Sequence, residues 1–341
     1  MMKKNIGFWV GPLPPKVCGV GHYAYQLGNA VNKNLVEILF LNELLPCNWK
    51  IFDFIKFINL IKKLKLSVLH LQYPCKDLKY SLLPPLIFIY LRLFTKIKIF
   101  ITLHEFKHSH LSRKIMSLIL STLAHKIIVV DKTQLVFFPY PFIHIPLTGS
   151  IIPLEKSQKK IKSKITIGSW GLFRADKGIE YLINAIPLII KNFPDKYSFV
   201  FIGELGEDEK YIKFIQECIN EHKLENFIRF THRLNEVDLS KELSELDICV
   251  LPYINGVEPN RTTFLTAIEF NIPVVTTTLE KPHYDAKNGV CYVSTKDSLQ
   301  IANAIEFLVE KIIKGEMNIE NTLNNKGLGG IAEHLKLWNT L

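Results

Sequence analysis

The sequence predicts an α/β protein of two doubly wound units, and three observations carry that expectation. Short apolar runs alternate with helix-length stretches along the whole chain, the pattern of parallel strands joined by crossover helices. A polar, basic stretch at 154–164 interrupts the alternation near the middle and has the composition of a linker. The chain has 341 residues, 48% of them apolar, enough for two buried cores and too apolar for a disordered polymer.

Taken in order, the first half presents strands at 6–10, 36–41, 68–71, 97–102 and 126–130. The run at 6–10 stops at Gly11-Pro12, too short for the apolar core of a signal peptide, and fits a first buried strand. After the linker a new run opens at Ile165, followed by runs at 197–203, 227–230, 248–251, 274–276 and 289–293. The stretch 79–103 is almost wholly apolar, but Arg92, Lys96 and Lys98 interrupt it, so it does not span a bilayer. It fits either a core helix followed by a core strand or a segment that dips into a membrane interface. The last amphipathic stretch, 331–338, predicts a helix. Ligands of such sheets bind beyond the carboxyl ends of the strands, so the residues that follow each strand are the candidates for function.

Charge is distributed unevenly. Residues 1–160 hold 22 Lys and Arg against 7 Asp and Glu, within a chain whose net charge is +10. A basic first half calls for an anionic partner. No nucleic-acid recognition motif accompanies the lysines, whereas apolar and aromatic residues do, which favours an anionic membrane surface or a diphosphate-linked molecule. The six cysteines follow no regular spacing and include no CxxC pair, as expected of a reducing cytosol.

Two motif matches fail on context. Gly19-x-Gly21-x-x-Ala24 matches the dinucleotide fingerprint formally, but it stands about eight residues after its strand, where that fingerprint needs a tight turn at the strand end. His104-Glu105-x-x-His108 matches a zinc-protease motif, but the run at 97–102 is a strand leading straight into His104 rather than a helix.

Two constellations carry more. Gly168-Ser-Trp170-Gly171 leads to Arg174 and Lys177-Gly178 at the start of a helix, and two cations there suit a diphosphate leaving group. Residues 247–277 give a strand, a loop with Gly256, and a helix whose first turn offers Thr262 and Thr263. Such a helix start turns N–H groups and a positive dipole end towards an anion. Glu269, about two turns on, is placed to accept hydrogen bonds from a sugar diol.

These segments resemble glycosyltransferase family 4, the glycosyl transferases group 1 of the GT-B fold. The family has two glutamates separated by seven residues; Glu269 fits the second, and Arg261 stands at the first. The resemblance implies two Rossmann-like domains facing a central cleft, 1–160 for the acceptor and 161–320 for the nucleotide sugar, with a C-terminal helix at 321–341 crossing back to the first. It implies a retaining, metal-independent hexosyltransferase without a cofactor, whose donor is a nucleotide-diphosphate sugar. His104, Arg174 and Lys177 would be catalytic. Gly19, Gly21, Gly171, Arg261, Thr262, Thr263 and Glu269 would bind the donor. His22, Gln72 and Tyr73 would meet a glycan or lipid-linked acceptor, although Gln72 and Tyr73 suit structural roles equally well. Cell-surface polysaccharide assembly, in the cytoplasm at the inner face of the membrane, is the setting it suggests, with peripheral contact through the basic half. A catalytically silent partner subunit and a sugar-nucleotide epimerase are the alternatives.

Overall fold

The computed structural model describes residues 4–339 apart from 15, 17, 32–35, 46–48, 76, 77, 79, 80, 107, 108, 133–137, 148, 150, 152, 154–163, 192, 207, 233, 259, 318 and 320–328. The expected linker at 154–164 therefore lies almost wholly outside the described residues. The chain divides into two units, Met1–Ser150 with Leu328–Leu341, and Ile151–Gly327. The boundary falls before the expected position at 160.

The first unit runs β1 (Lys4–Trp9), α1 (Gly19–Val31), β2 (Val36–Phe40), a short α2 (Leu41–Leu44), α3 (Phe54–Leu64), β3 (Val68–Tyr73), α4 (Leu83–Phe94), β4 (Lys98–Leu103), α5 (Leu111–Leu123), β5 (Lys126–Val129) and β6 (Ile143–His144). Its sheet is parallel throughout, in the order β2-β1-β3-β4-β5-β6. The stretch 79–103 thus holds a helix and a strand. Buried parallel strands have no solvent face, so β3 is buried at every residue and shows an unbroken apolar stretch except for His70 and Gln72. Two cores cover the two faces of the sheet. One gathers Trp9, Leu69 and Leu71 with Phe57 of α3, Ile87 and Phe88 of α4 and Leu120 of α5. The other gathers Ile6, Phe8 and Val68 with Ala24 and Leu27 of α1. Right-handed crossovers dictate this division, because the chain leaves β1 towards one sheet edge and returns across it towards the other.

The second unit runs β7 (Ile165–Phe173), α6 (Ile179–Ile190), β8 (Tyr197–Leu205), α7 (Glu209–Glu221), β9 (Ile228–Phe230), α8 (Glu236–Ser244), β10 (Ile248–Leu251), α9 (Thr262–Glu269), β11 (Val274–Thr278), β12 (His283–Asp285), β13 (Val290–Ser294) and α10 (Ser298–Ile313). The strand order is β12-β13-β11-β10-β7-β8-β9, parallel except for the β12–β13 edge pair. Helices α6, α7 and α10 pack one face, and α8 and α9 the other. Asp208, Asn235 and Asp297 cap α7, α8 and α10 by accepting bonds from first-turn N–H groups. After 328 the chain returns to the first unit as α11 (Gly329–Asn339), whose Trp338 is fully buried in the core beneath α1.

Candidate active site

In the second unit the strand order reverses between β7 and β10. β8 and β9 extend to one side of β7, while β10, β11 and β13 extend to the other. Crossover helices leave these two central strands on opposite faces, which opens a crevice beyond their carboxyl ends. The loops that follow β7 and β10 bring together Arg174, Asp176, Lys177, Tyr253, Glu258, Arg261 and Thr263.

Asp176 is the hub. Arg174 Nε lies 3.1 Å from its Oδ1, and Arg261 Nη1 and Lys177 Nζ lie 3.5 and 4.0 Å from its Oδ2. Arg261 Nε also meets Glu258 at 3.4 Å. The ring of Tyr253, itself buried, carries Lys177 Nζ and the Arg261 guanidinium at 5.0 and 5.1 Å from its centre. Three cations thus share two carboxylates, leaving an excess of positive charge in a half-buried crevice. Burial, and next the Arg261 charge, lower the Lys177 amine to about 8, which marks a site short of negative charge.

Glycines make the crevice floor. Gly171 and Gly203 pair across β7 and β8, with φ of 121° and 135°. A Cβ on Gly203 would stand 2.0 Å from the Gly171 carbonyl oxygen, and one on Gly171 would stand 3.1 Å from the Thr263 methyl group. Gly178 turns the chain into α6 at φ 63°, and a Cβ there would strike the Pro252 carbonyl at 2.2 Å.

Arg261 is the N-cap residue of α9 and makes no side-chain capping bond, so its guanidinium serves the ion cluster instead. The Thr263 hydroxyl, expected to meet the donor, bonds the Tyr253 hydroxyl at 2.5 Å, and the Thr263 carbonyl accepts from Trp170 Nε1 at 3.0 Å. What this residue can still offer an anion is its first-turn N–H, together with that of Thr262. Glu269 is half-buried at the last position of α9, about 12 Å from Arg261 along the helix axis.

The first unit has its own reversal, between β1 and β3. Gly19 and Gly21 open α1 beyond β1. A Cβ on Gly21 would lie 1.8 Å from the Pro12 carbonyl oxygen, so packing alone demands glycine there, whereas Gly19 faces open space. His104 follows β4 and bonds Gln72 through Nε2 at 2.8 Å, with its ring against Tyr23. Burial, and secondarily His334, hold the His104 imidazole down to about 3, so it is neutral at ordinary pH. The structure therefore joins His104 to Gln72. Tyr73, expected at an acceptor, is instead 1% exposed and belongs to the core with Trp9 and Leu71. His22 stands half-buried in the first turn of α1, 3.2 Å from Gln26 Nε2.

Asp176 and Tyr253 were missed by the sequence reading. Asp176 was visible between the two cations, and Tyr253 two residues past β10, but neither announces itself as a hub until both loops are folded. Among the described residues no group of three or more His, Cys, Asp or Glu is arranged to hold a metal ion.

Residues 164–311, which include every member of this ion cluster, match the family model described as glycosyl transferases group 1. The chain carries a group 1 glycosyltransferase domain. Its fold is GT-B: the chain superposes on HepE from Anabaena in complex with UDP and glucose with a TM-score of 0.73, at 13% identity, covering 99% of this chain and 100% of that one. Sucrose-phosphate synthase from Thermosynechococcus elongatus gives 0.72 at 17% identity, covering 99% and 98%. A glycosyltransferase from Rickettsia africae gives 0.71 at 14%, again covering 99% and 98%. No curated protein sequence matches the chain. The glycosyltransferase domain is the second unit almost entirely, so the crevice between β7 and β10 is where its chemistry is sought.

Proposed function

We propose that the protein transfers a sugar from a nucleotide-diphosphate sugar to a glycan or lipid-linked acceptor, with retention of anomeric configuration and without a metal ion. One observation carries this reading: Arg174, Lys177 and Arg261 converge on Asp176 at the strand-order reversal of a group 1 glycosyltransferase domain. The HepE structure, whose fold the chain shares, holds UDP and glucose.

A diphosphate at the start of α9 would exchange the Asp176 and Glu258 carboxylates for phosphate oxygens. As the glycosidic bond breaks, negative charge grows on the leaving diphosphate, and fixed cations stabilise that state more than the ground state. This is the work a metal ion would otherwise do. Glu269, further along α9, is the carboxylate for the ribose diol. His104, held neutral, acts through hydrogen bonding to the sugar rather than as an acid. The basic first unit suits an anionic acceptor, and the setting we infer is cell-surface polysaccharide assembly at the inner face of a bacterial membrane.

The test is a thermal-shift screen against UDP, GDP, ADP and CMP, repeated with Lys177→Ala and Glu269→Ala. We expect one nucleotide to stabilise the protein and both variants to lose that shift. A folded protein that responds to none of them contradicts the proposal. With the donor known, proton NMR of the product in the presence of a chelator reads the anomeric outcome and the metal requirement together.

A further inference from the structure

Helices α3, α4 and α5 form one layer over a face of the first sheet, their inner sides filling its core. The outer sides of α4 and α5 are apolar as well, while α3 exposes Ile55 beside Lys56, Asn59, Lys62 and Lys63. In α4 the sequence Leu-Pro-Pro-Leu-Ile-Phe-Ile-Tyr-Leu-Arg-Leu-Phe holds a single charge. A helix apolar all round belongs inside a protein or against lipid, yet here Leu93 and Phe94 are 69% and 71% exposed. Phe52 and Ile55, at the entry to α3, are 87% and 70% exposed. Phe54, Tyr90 and Phe94 touch ring to ring at 5.9 and 5.3 Å, which ties the entry of α3 to the end of α4 in one surface. On α5, Ile115 and Ile119 are exposed one turn apart and extend the same layer. An apolar surface of this breadth is not the ordinary scatter of exposed side chains.

The charge around it is predominantly positive. From residue 52 to 130 the sequence has thirteen Lys and Arg against three acids, Asp53, Asp77 and Glu105, and Asp53 is buried and paired with Lys56 at 3.7 Å. Lys62 and Lys63 are exposed at the end of α3, and Arg92 and Lys96 are exposed beside Leu93 and Phe94. A second copy meeting this face with its own would set cation against cation, and a partner protein would need acids placed against these lysines as well as an apolar face. An anionic lipid surface satisfies both features, the acyl boundary taking the apolar side chains and the headgroups the cations.

We propose that the outer face of the α3–α5 layer docks onto an anionic lipid bilayer, with Phe52, Ile55, Leu93 and Phe94 entering the interface. The assignment deepens the membrane-side part of the proposed function and rests on it only for its biological setting. No described helix is long and apolar enough to cross a membrane, so the contact is with one leaflet.

The test uses the full chain without donor or acceptor, sedimented with vesicles of phosphatidylcholine alone or of phosphatidylcholine containing phosphatidylglycerol. The protein is expected on the anionic vesicles only, with binding falling as salt rises. Leu93→Glu with Phe94→Glu is expected to weaken binding about tenfold or more, and Lys62→Glu with Lys63→Glu to do so without touching the apolar residues. Leu279→Glu, on an exposed residue of the second unit, should leave it unchanged. The proposal is overturned by absence of vesicle binding, by equal binding to neutral vesicles, or by binding that both paired variants retain. Self-association abolished by the same variants would assign the face to a second copy instead. Because vesicle binding is read without nucleotide, its failure leaves the donor site standing, and a failed nucleotide screen leaves this surface standing.

Discussion

Asp176 decides the state of the candidate site. It neutralises part of a cluster that would otherwise repel itself, and in the proposed function it gives way to a diphosphate. Asp176→Asn should lower the stability of the free protein by about 1 kcal/mol, a modest figure because the pairs are partly solvated. Added pyrophosphate should raise the melting temperature of the variant more than that of the parent. The paired thermal scans check this. Lys177 gives the site a pH signature. Its amine, lowered to about 8 by burial and then by Arg261, must be charged to hold phosphate. Affinity for the nucleoside diphosphate that the thermal screen selects should therefore be full below pH 8 and decline as pH rises through it, a decline that Lys177→Arg removes. Calorimetric titrations across that range measure it.

At the scale of elements, two glycines that look alike in sequence have opposite roles. Gly21→Ala puts a Cβ 1.8 Å from the Pro12 carbonyl and should cost about 3 kcal/mol or more, because backbone must move. Gly19→Ala meets open space and should be near neutral in the same denaturation experiment. The strands were legible because a parallel strand buried on both faces leaves a run such as Ile248–Leu251, the same in sequence and structure. β12, half-exposed and antiparallel at the sheet edge, and β6, a two-residue strand, leave no such run and went unread. Lys177 and the start of α9 were legible from local turn chemistry, and Arg261 from the family's glutamate spacing. Their convergence on Asp176 and Tyr253 was not, since it arises from two loops that only the order of β7 and β10 makes neighbours. Tyr73 misled for a related reason: it ends a strand, as a ligand-facing residue would, but that strand is central and covered on both faces.

The whole molecule is threaded as two units, the chain leaving the first, building the second and returning as α11. That return is part of the first core. Trp338 is fully buried and lies 5.7 Å from Phe8 and 5.9 Å from His70 ring to ring, while its carbonyl accepts from Lys4 Nζ at 3.1 Å. Trp338→Ala should cost the first unit about 3–5 kcal/mol. Hydrogen exchange should show protection falling in β1 and β3 and unchanged in β7 and β10.

The proposed function places the diphosphate of a nucleotide sugar in the crevice between β7 and β10. The deciding measurement is calorimetric titration of the parent protein and of Lys177→Ala with the nucleoside diphosphate that the thermal screen selects and with its nucleoside. The parent is expected to bind the diphosphate far more tightly than the nucleoside, and Lys177→Ala to lose most of that difference while remaining folded. Equal affinity for the two in the parent, or a preference for the diphosphate that survives intact in Lys177→Ala, would overturn the proposed site.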